Sequence, residues 1–209
     1  GKRNLDLNVH THFDLNTCVD FVCLDDTTLL LGDLSGRNRL LRATPGRQTG
    51  ILTLPSEPVQ GDGANGYVWR SYMDMNYELN KAVLATQFGE VLEIVDLSDY
   101  SVVRTIGEGS VPHDASQQLA GYYDVKWRKN DIYVLYSGMS EDEANRRLAA
   151  NQRPSSGGDQ IHVFDQNGIR TKIYRLDVSI NSFTVDEKNN QLIGISSESD
   201  YPVYLFRLD

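Results

Sequence analysis

The chain has 209 residues, 40% of them apolar, and a formal net charge of −9. This length and apolar content are enough for one domain with a continuous core, which buries about 70% of the surface of the unfolded chain. The acidic balance and the lack of any lysine- or arginine-rich run argue against nucleic acid or an anionic membrane as partner, because binding to either depends on neutralising negative charge. No apolar stretch approaches the about 20 residues of a membrane-spanning helix, and no signal peptide is recognisable.

The N-terminal segment has the pattern of a β-strand with one buried face. Leu5, Leu7 and Val9 alternate with Asp6 and Asn8, which is the period of two that a half-buried strand requires. The next predicted strand, residues 18–24, carries the two cysteines of the chain, Cys18 and Cys23. Their odd separation places them on opposite faces of a strand, so we expect no disulfide between them.

A unit of short apolar strands and tight polar turns then occurs four times. Its copies align at Asp20, Asp74, Asp124 and Thr184, which are separated by 54, 50 and 60 residues. In each copy a second apolar strand begins nine residues after the aligned position. Repeats of this length with about four short strands each are typical of the blades of a β-propeller.

The predicted blades cover residues 18–54, 71–106, 122–176 and 182–209, and the last contains only three strands. Residues 4–9 can supply the missing outer strand, which would close a four-bladed ring and leave no exposed sheet edge. We therefore predict an all-β propeller in one domain, residues 1–209, with the N-terminal strand closing the last blade. The alternative is a fragment of a larger, six-bladed propeller.

The lengths of the connections differ between the two ends of the predicted propeller. Antiparallel order places the loops 55–70, 107–121 and 138–159 at one end, here called the long-loop rim, and the short turns at Asn80, Asn130 and Asn190 at the other. Long loops on a rigid framework carry function more often than cores do. We expect a protein, peptide or glycan partner to bind at the long-loop rim.

The longest of these loops contains the only helix that the sequence predicts. Ser140 and Glu143 have the spacing of a capping box, and Pro154 prevents continuation of the helix. Arg146 and Arg147 lie within it and are candidate binding residues. The helix is either a lid or docking element over the rim or a solvated insertion.

Further candidates lie in the other two long loops. Tyr67, Trp69 and the adjacent Arg70 precede the second blade, and His113 and Asp114 lie in the loop before the third blade. Aromatic rings at a propeller mouth suit sugars or peptides, and a free imidazole can act as an acid, a base or a ligand. Four more aromatic residues lie at or near the innermost strands: Tyr72, Tyr122, Tyr123 and Trp127. For all six aromatic residues the alternative to ligand binding is packing between blades.

The repeated aspartates have two possible roles. If the first strand of each blade lies beside the axis, Asp20, Asp74 and Asp124 approach one another and, together with Thr184, could hold calcium or magnesium through oxygen ligands. Alternatively, each aspartate accepts backbone N–H groups of the neighbouring blade and joins the two blades, in every copy alike because the geometry repeats.

Several segments resemble one protein family. The segments 122–125, 131–138, 160–165 with Gly168, and 174–177 are similar to those of the TolB-like six-bladed propeller proteins of bacterial cell envelopes, and the resemblance extends over residues 66–209. It implies an exported, periplasmic or envelope-bound protein, often a lipoprotein, and it supplies no catalytic residues. The chain is shorter than six blades of this size require, so either two blades are absent or it is a fragment.

Three classes of function fit these observations. The first is a non-catalytic binding or scaffolding module of the bacterial cell envelope that uses the long-loop rim. The second is a propeller hydrolase or lyase with a metal in its tunnel. The third is a structural component that completes its ring by forming an oligomer.

Overall fold

The computed structural model describes residues 18–34, 38–53, 65–107, 120–152, 154–198 and 200–208. The strands of blade 1 are β1 (Cys18–Asp25), β2 (Thr28–Asp33), β3 (Asn38–Thr44) and β4 (Arg47–Thr53), and those of blade 2 are β5 (Ser71–Asn76), β6 (Lys81–Thr86), β7 (Val91–Asp96) and β8 (Val102–Ile106). Blade 3 contains β9 (Tyr122–Arg128), β10 (Asp131–Tyr136), β11 (Gly158–Asp165) and β12 (Arg170–Ile180), and blade 4 contains β13 (Ser182–Asp186), β14 (Gln191–Ile195) and β15 (Val203–Arg207). The described residues also contain two helices, α1 (Asn65–Val68) and α2 (Glu141–Ala149), both in long loops.

Each blade is an antiparallel sheet whose strands lie side by side in chain order. The first strands of neighbouring blades contact one another, β1 with β5, β5 with β9, and β9 with β13. These innermost strands therefore form the inner surface of the row of blades. The predicted repeat is confirmed in all four copies.

Burial explains why the strands differ in composition. The second strand of blade 2 is buried from Ala82 to Thr86, as expected for a continuous apolar run whose two faces are both covered by neighbouring blades. Outer strand β8 instead exposes Val102, Val103 and Ile106. Apolar packing is thus concentrated in the middle strands, and the outer strands form the surface.

The turns between the first and second strands of blades 2, 3 and 4 each use a left-handed backbone conformation. Asn80, Lys129 and Asn190 have φ values of 52°, 46° and 52°. Asparagine tolerates this region better than most residues. In blade 3 the left-handed residue is Lys129, the neighbour of the predicted turn residue Asn130.

The core consists mainly of three clusters, each between two neighbouring blades. Their buried members between blades 1 and 2 include Leu30, Leu40, Met73 and Leu84; between blades 2 and 3, Val83, Leu92, Trp127 and Ile132; and between blades 3 and 4, Leu135, Ile161, Phe183 and Leu192. Each blade is therefore stabilised by its neighbours, as in other repeat architectures.

The described blades form an open row. No contact as extensive as those between consecutive blades joins β13 to β1 in the described ranges, and blade 4 leaves Ile195, Val203 and Leu205 more than half exposed. The all-β propeller class is confirmed, and the open row fits the alternative of a fragment of a larger propeller. The predicted closing strand, residues 4–9, lies outside the described residues.

One expectation about the loops is wrong. The sequence predicts a single helix at residues 138–159, which is α2, but the structure also contains α1 immediately before blade 2. This helix has only four residues and no acidic first turn, so it carries none of the sequence signals on which a helix prediction rests. Cys18 and Cys23 are both free thiols, as predicted.

Candidate binding rim

The described ends of the three long loops lie together at one end of the row of blades. A chain of backbone hydrogen bonds connects them: Gln87 donates to the carbonyl of Arg70 at 2.9 Å, Gly121 to that of Gln87 at 2.9 Å, and Ser137 to that of Gly121 at 3.0 Å. These bonds run from the residue before blade 2 to the end of β10 in blade 3. The long-loop rim is therefore one continuous surface in the described part of these loops.

Short turns meet at the opposite end. Asn76 donates through Nδ2 to the carbonyl of Lys129 at 3.0 Å, and the Lys129 ammonium lies 3.6 Å from Glu187. Tyr77 donates its hydroxyl proton to the carbonyl of Cys23 at 2.8 Å. These contacts join all four blades, so this end consists of compact turns that hold one another.

The three repeated aspartates join consecutive blades at the inner surface. In each case one carboxylate oxygen accepts the backbone N–H of an innermost-strand residue in the next blade. The pairs are Asp20 with Met73 at 2.9 Å, Asp74 with Trp127 at 2.8 Å, and Asp124 with Phe183 at 3.0 Å. The joining role that the sequence left as an alternative is therefore observed at all three seams.

The second oxygen of each carboxylate is also occupied. It accepts the N–H of the following residue at 2.8 Å, in Phe21, Met75 and Val125. Lys126 supplies positive charge, with its ammonium 2.6 Å from Asp124. Burial raises the pKa of Asp20, and the charge of Lys126 opposes this rise while that of Asp124 adds to it.

No group of three or more His, Cys, Asp and Glu side chains that could hold a metal ion occurs in the described ranges. The calcium or magnesium hypothesis for Asp20, Asp74 and Asp124 stays a prediction. The charge of Lys126 opposes the repulsion between the carboxylates of Asp20 and Asp124.

Trp69 is part of the packing between blades 1 and 2. It is only 2% exposed, and the guanidinium carbons of Arg39 and Arg104 lie 5.3 and 5.5 Å from its ring centroid. Both arginines contact the buried carboxylate of Glu93, Arg39 at 2.6 Å and Arg104 at 2.8 Å. Tyr122 and Trp127 are likewise buried in the core, so packing accounts for these three aromatic residues.

Tyr67 and Arg70 do come together at the rim. The guanidinium carbon of Arg70 lies 4.4 Å from the ring centroid of Tyr67 and 4.7 Å from that of Phe88. The two rings are 5.7 Å apart, and Tyr67 is 51% exposed. Stacking against two rings restricts the guanidinium to one orientation at the surface.

Two phenols lie within electrostatic range of Arg70. Burial raises the pKa of both Tyr72 and Tyr123, and the positive charge of Arg70 opposes this rise in each. Both phenols therefore stay protonated at neutral pH and can donate hydrogen bonds. Tyr72 and Tyr123 lie near the starts of the innermost strands β5 and β9, and Arg70 immediately precedes β5.

A cavity of about 410 Å³ lies beside α2 on the same rim. Ser140 caps the helix by accepting the Glu143 N–H at 3.1 Å, as the sequence predicts. Arg146 and Arg147 both pair with Glu143, at 2.6 and 2.9 Å. Charged residues of the cavity wall are Glu143, Arg147, Asp159, Asp177 and Glu198, so its charge is predominantly negative.

A polar cluster between blades 2 and 3 is not predicted by the sequence. Glu90 accepts a hydrogen bond from Arg170 at 2.5 Å, and its carboxylate lies 3.5 Å from Nδ1 of His162. The ring of Tyr136 lies 4.5 Å from that of His162. Burial, together with the charge of Arg170, lowers the pKa of His162 to about 4, and burial with the charge of Glu90 raises that of Tyr136 to about 12.

No local pattern points to this cluster, because its members are up to 80 residues apart. Gly107 is one available signal, since a Cβ there would lie 1.9 Å from the Glu90 carboxyl carbon. The other two predicted rim residues, His113 and Asp114, lie outside the described residues.

Residues 56–188 match the TolB-like 6-blade propeller-like family. The chain belongs to this family. The match confirms the resemblance found in the sequence, and it covers blades 2 and 3, the innermost strand of blade 4, and both described features of the rim, the Arg70 contacts and α2.

Solved structures of low sequence identity share the fold of this TolB-like chain. The WD40 β-propeller domain of Doa1 aligns with a TM-score of 0.52 and 12% identity, over 93% of this chain and 52% of that one. The computationally designed Ika4 protein aligns with a TM-score of 0.53 and 9% identity, over 99% and 100% of the two chains. Saccharomyces cerevisiae Sqt1 aligns with a TM-score of 0.54 and 9% identity, over 92% and 46%.

The TolB-like chain thus spans about half the length of the Doa1 and Sqt1 chains. No curated protein sequence matches it. At these identities the similarity establishes the propeller fold alone. Neither helix of the described segments is long and apolar enough to cross a membrane.

Proposed function

We propose that this TolB-like chain is a non-catalytic binding module of the bacterial cell envelope, and that a peptide segment of a partner protein binds at the long-loop rim. Family membership supports the envelope location, and the propeller fold supports a binding or scaffolding role in general. The observation that carries the proposal is the placement of two open features, the Arg70 contacts and the α2 cavity, on one continuous rim.

The opposite end offers a different kind of surface. Its short turns bond to one another across the blades through Asn76, Lys129 and Tyr77. A partner can therefore be accommodated at the rim without displacing the bonds that hold the blades together.

Helix α2 suits a docking role. None of its residues is buried, and its shape is maintained by its own capping bond and by the pairs of Glu143 with Arg146 and Arg147. A helix held in this way contributes little to the core, so its exposed side chains are available to a partner.

Charge defines the part of the partner that the α2 cavity accepts. Asp159 and Asp177 are exposed in its wall, and Glu198 reaches it from blade 4, where its carboxylate accepts the Ser156 N–H at 2.8 Å. Three carboxylates beyond the paired Glu143 favour a lysine or arginine side chain of the bound peptide over an acidic one.

A phage-displayed random peptide library panned against the protein tests this proposal, with selected peptides measured by calorimetry. The Asp177→Lys variant should bind the selected peptides at least tenfold more weakly, because it reverses a charge of the cavity wall. Glu187→Lys is the matched control, since it makes the same charge change at the opposite end and should leave the affinity unchanged. Peptides weakened by Glu187→Lys and unaffected by Asp177→Lys would overturn the proposal.

A further inference from the structure

Among the described residues, Arg70 differs from Arg39, Arg104 and Arg128 in having no acidic partner. Arg39 and Arg104 pair with Glu93, and Arg128 pairs with Asp74. The guanidinium of Arg70 makes no ion pair with a described residue, and its Nε is buried without a hydrogen-bond acceptor. A buried donor without an acceptor is costly. Because Arg70 as a whole is only partly buried, the rest of its guanidinium is accessible to an external acceptor.

The two aromatic rings do not supply that acceptor. They lie 4.4 and 4.7 Å from the guanidinium carbon, and stacking fixes the guanidinium while leaving its N–H groups unbound. The backbone of Arg70 is also held, because its carbonyl accepts the Gln87 N–H at 2.9 Å and its own N–H donates to Tyr67 at 3.3 Å. A guanidinium fixed in this way is a preorganised two-pronged donor, the geometry that matches a carboxylate.

The charges around Arg70 favour an anion of low charge. The carboxylates of Asp20 and Asp124 act on Tyr72, and that of Glu198 acts on Tyr123, so negative charge already lies within electrostatic range of this part of the rim. A single guanidinium balances one negative charge better than the two charges of a phosphate.

We propose that Arg70 binds a carboxylate of the peptide partner at the long-loop rim. The carboxylate is either the C-terminus of the peptide or an acidic side chain. That the partner is a peptide rests on the proposed function. Arg70 is then a second binding position on the same rim, separate from the α2 cavity.

Nitrogen-15 NMR of the arginine Nε–H groups in the whole chain provides the test, with the Arg70 signal identified by its loss in Arg70→Gln. N-acetylglycine represents a C-terminal carboxylate and N-acetylglutamate amide a side-chain carboxylate, and N-acetylglycinamide is the uncharged control. We expect the Arg70 signal to shift saturably with at least one acid and to stay in place with the control. The acid that saturates at the lower concentration identifies the source.

Variants establish whether the binding belongs to Arg70. Affinity for the acid, measured on the backbone amide signals of Gln87 and Phe88, should fall at least tenfold in Arg70→Gln and also fall in Arg70→Lys, which keeps the charge and loses the two-pronged donor. Arg42→Gln removes an exposed arginine of blade 1 and should leave the affinity unchanged. Melting curves of each variant show whether it is folded, and Arg70→Lys keeps the test valid if Arg70→Gln is unstable.

Several results would overturn the inference. These are the absence of a saturable shift with either acid, an equal shift with N-acetylglycinamide, or unchanged affinity in both Arg70 variants. If inorganic phosphate binds more tightly than either acid, the ligand of Arg70 is not a carboxylate. If glucuronate binds more tightly than either acid, the partner is an acidic glycan and not a peptide. If the acids fail while library peptides still respond to Asp177→Lys, the proposed function stands and only the role of Arg70 falls.

Discussion

Asp74 in blade 2 accepts a 2.8 Å hydrogen bond from the backbone N–H of Trp127 in blade 3. Equivalent bonds from Asp20 and Asp124 join the other two pairs of consecutive blades. One side-chain position of the repeat therefore fixes the relative placement of innermost strands throughout the described row. Because the bonds are to backbone groups, they do not depend on which residue donates the N–H.

Replacement of Asp74 by alanine should destabilise the fold. It leaves the N–H of Trp127 without its acceptor at a partly buried position, at a cost of about 1–3 kcal/mol in the free energy of unfolding. Urea unfolding followed by tryptophan fluorescence measures this change. Asp26→Ala, at an exposed turn, is the control and should have little effect; equal stability of the two variants would contradict the joining role.

Removal of divalent cations should leave the melting temperature unchanged. Both oxygens of Asp20, Asp74 and Asp124 accept backbone N–H groups, so a metal would compete with bonds that already exist. Thermal melts with EDTA and with added calcium, together with elemental analysis, provide the measurement. Bound calcium or magnesium and a lower melting temperature in EDTA would instead support the metal hypothesis.

His162 should make stability depend on pH in the acidic range. Its pKa is lowered from 6.5 to about 4 in the folded protein by burial and by the charge of Arg170, so the unfolded chain binds the proton more tightly. The contribution of neutral His162 to the free energy of unfolding is fully present above pH 6.5. It is lost as the pH falls towards 4, by about 3 kcal/mol in total. Urea unfolding between pH 7 and pH 4 should show this loss, and His162→Gln should lack it.

The Glu93 carboxylate should be more important for stability than Arg104, the more exposed of the two arginines that it binds. Glu93 and Arg39 have side chains only 1% and 4% exposed, whereas Arg104 is 32% exposed. Glu93→Gln leaves the Arg39 charge buried without a counter-ion, which costs about 3–5 kcal/mol. Arg104→Gln removes a more solvated partner and should cost less, and the opposite order in urea unfolding would contradict this assignment.

The sequence predicts the repeat far better than it predicts the rim. The aspartate register and the strand order follow from local patterns of alternation and turn residues, which each blade repeats, and even the capping of α2 by Ser140 is a local signal. The surroundings of Trp69 and Arg70 depend on residues that are distant in the sequence. Trp69 lies between two arginines from different blades, whereas Arg70, the next residue, faces Tyr67 and Phe88 at the surface.

For the same reason, the Glu90 and His162 cluster has no signature in the sequence. His162 lies in β11 among Ile161 and Val163 and has the appearance of an ordinary strand position. Its partner comes from the β6–β7 turn of another blade. Such pairs depend on how two sheets face each other, which periodicity within one blade does not determine.

The final prediction concerns residues 4–9 and the edge of blade 4. Strand β15 pairs with β14 alone among the described strands, and the alternation of Leu5, Leu7 and Val9 suits an outer strand beside it. Deleting residues 1–12 should then expose the backbone of Val203–Arg207 and remove the burial of Leu5, Leu7 and Val9, each worth about 1.5–3 kcal/mol when buried. Hydrogen exchange of the β15 amides should accelerate in the truncated chain and the unfolding free energy should fall by several kcal/mol. Unchanged exchange and stability would show that this strand does not complete the blade.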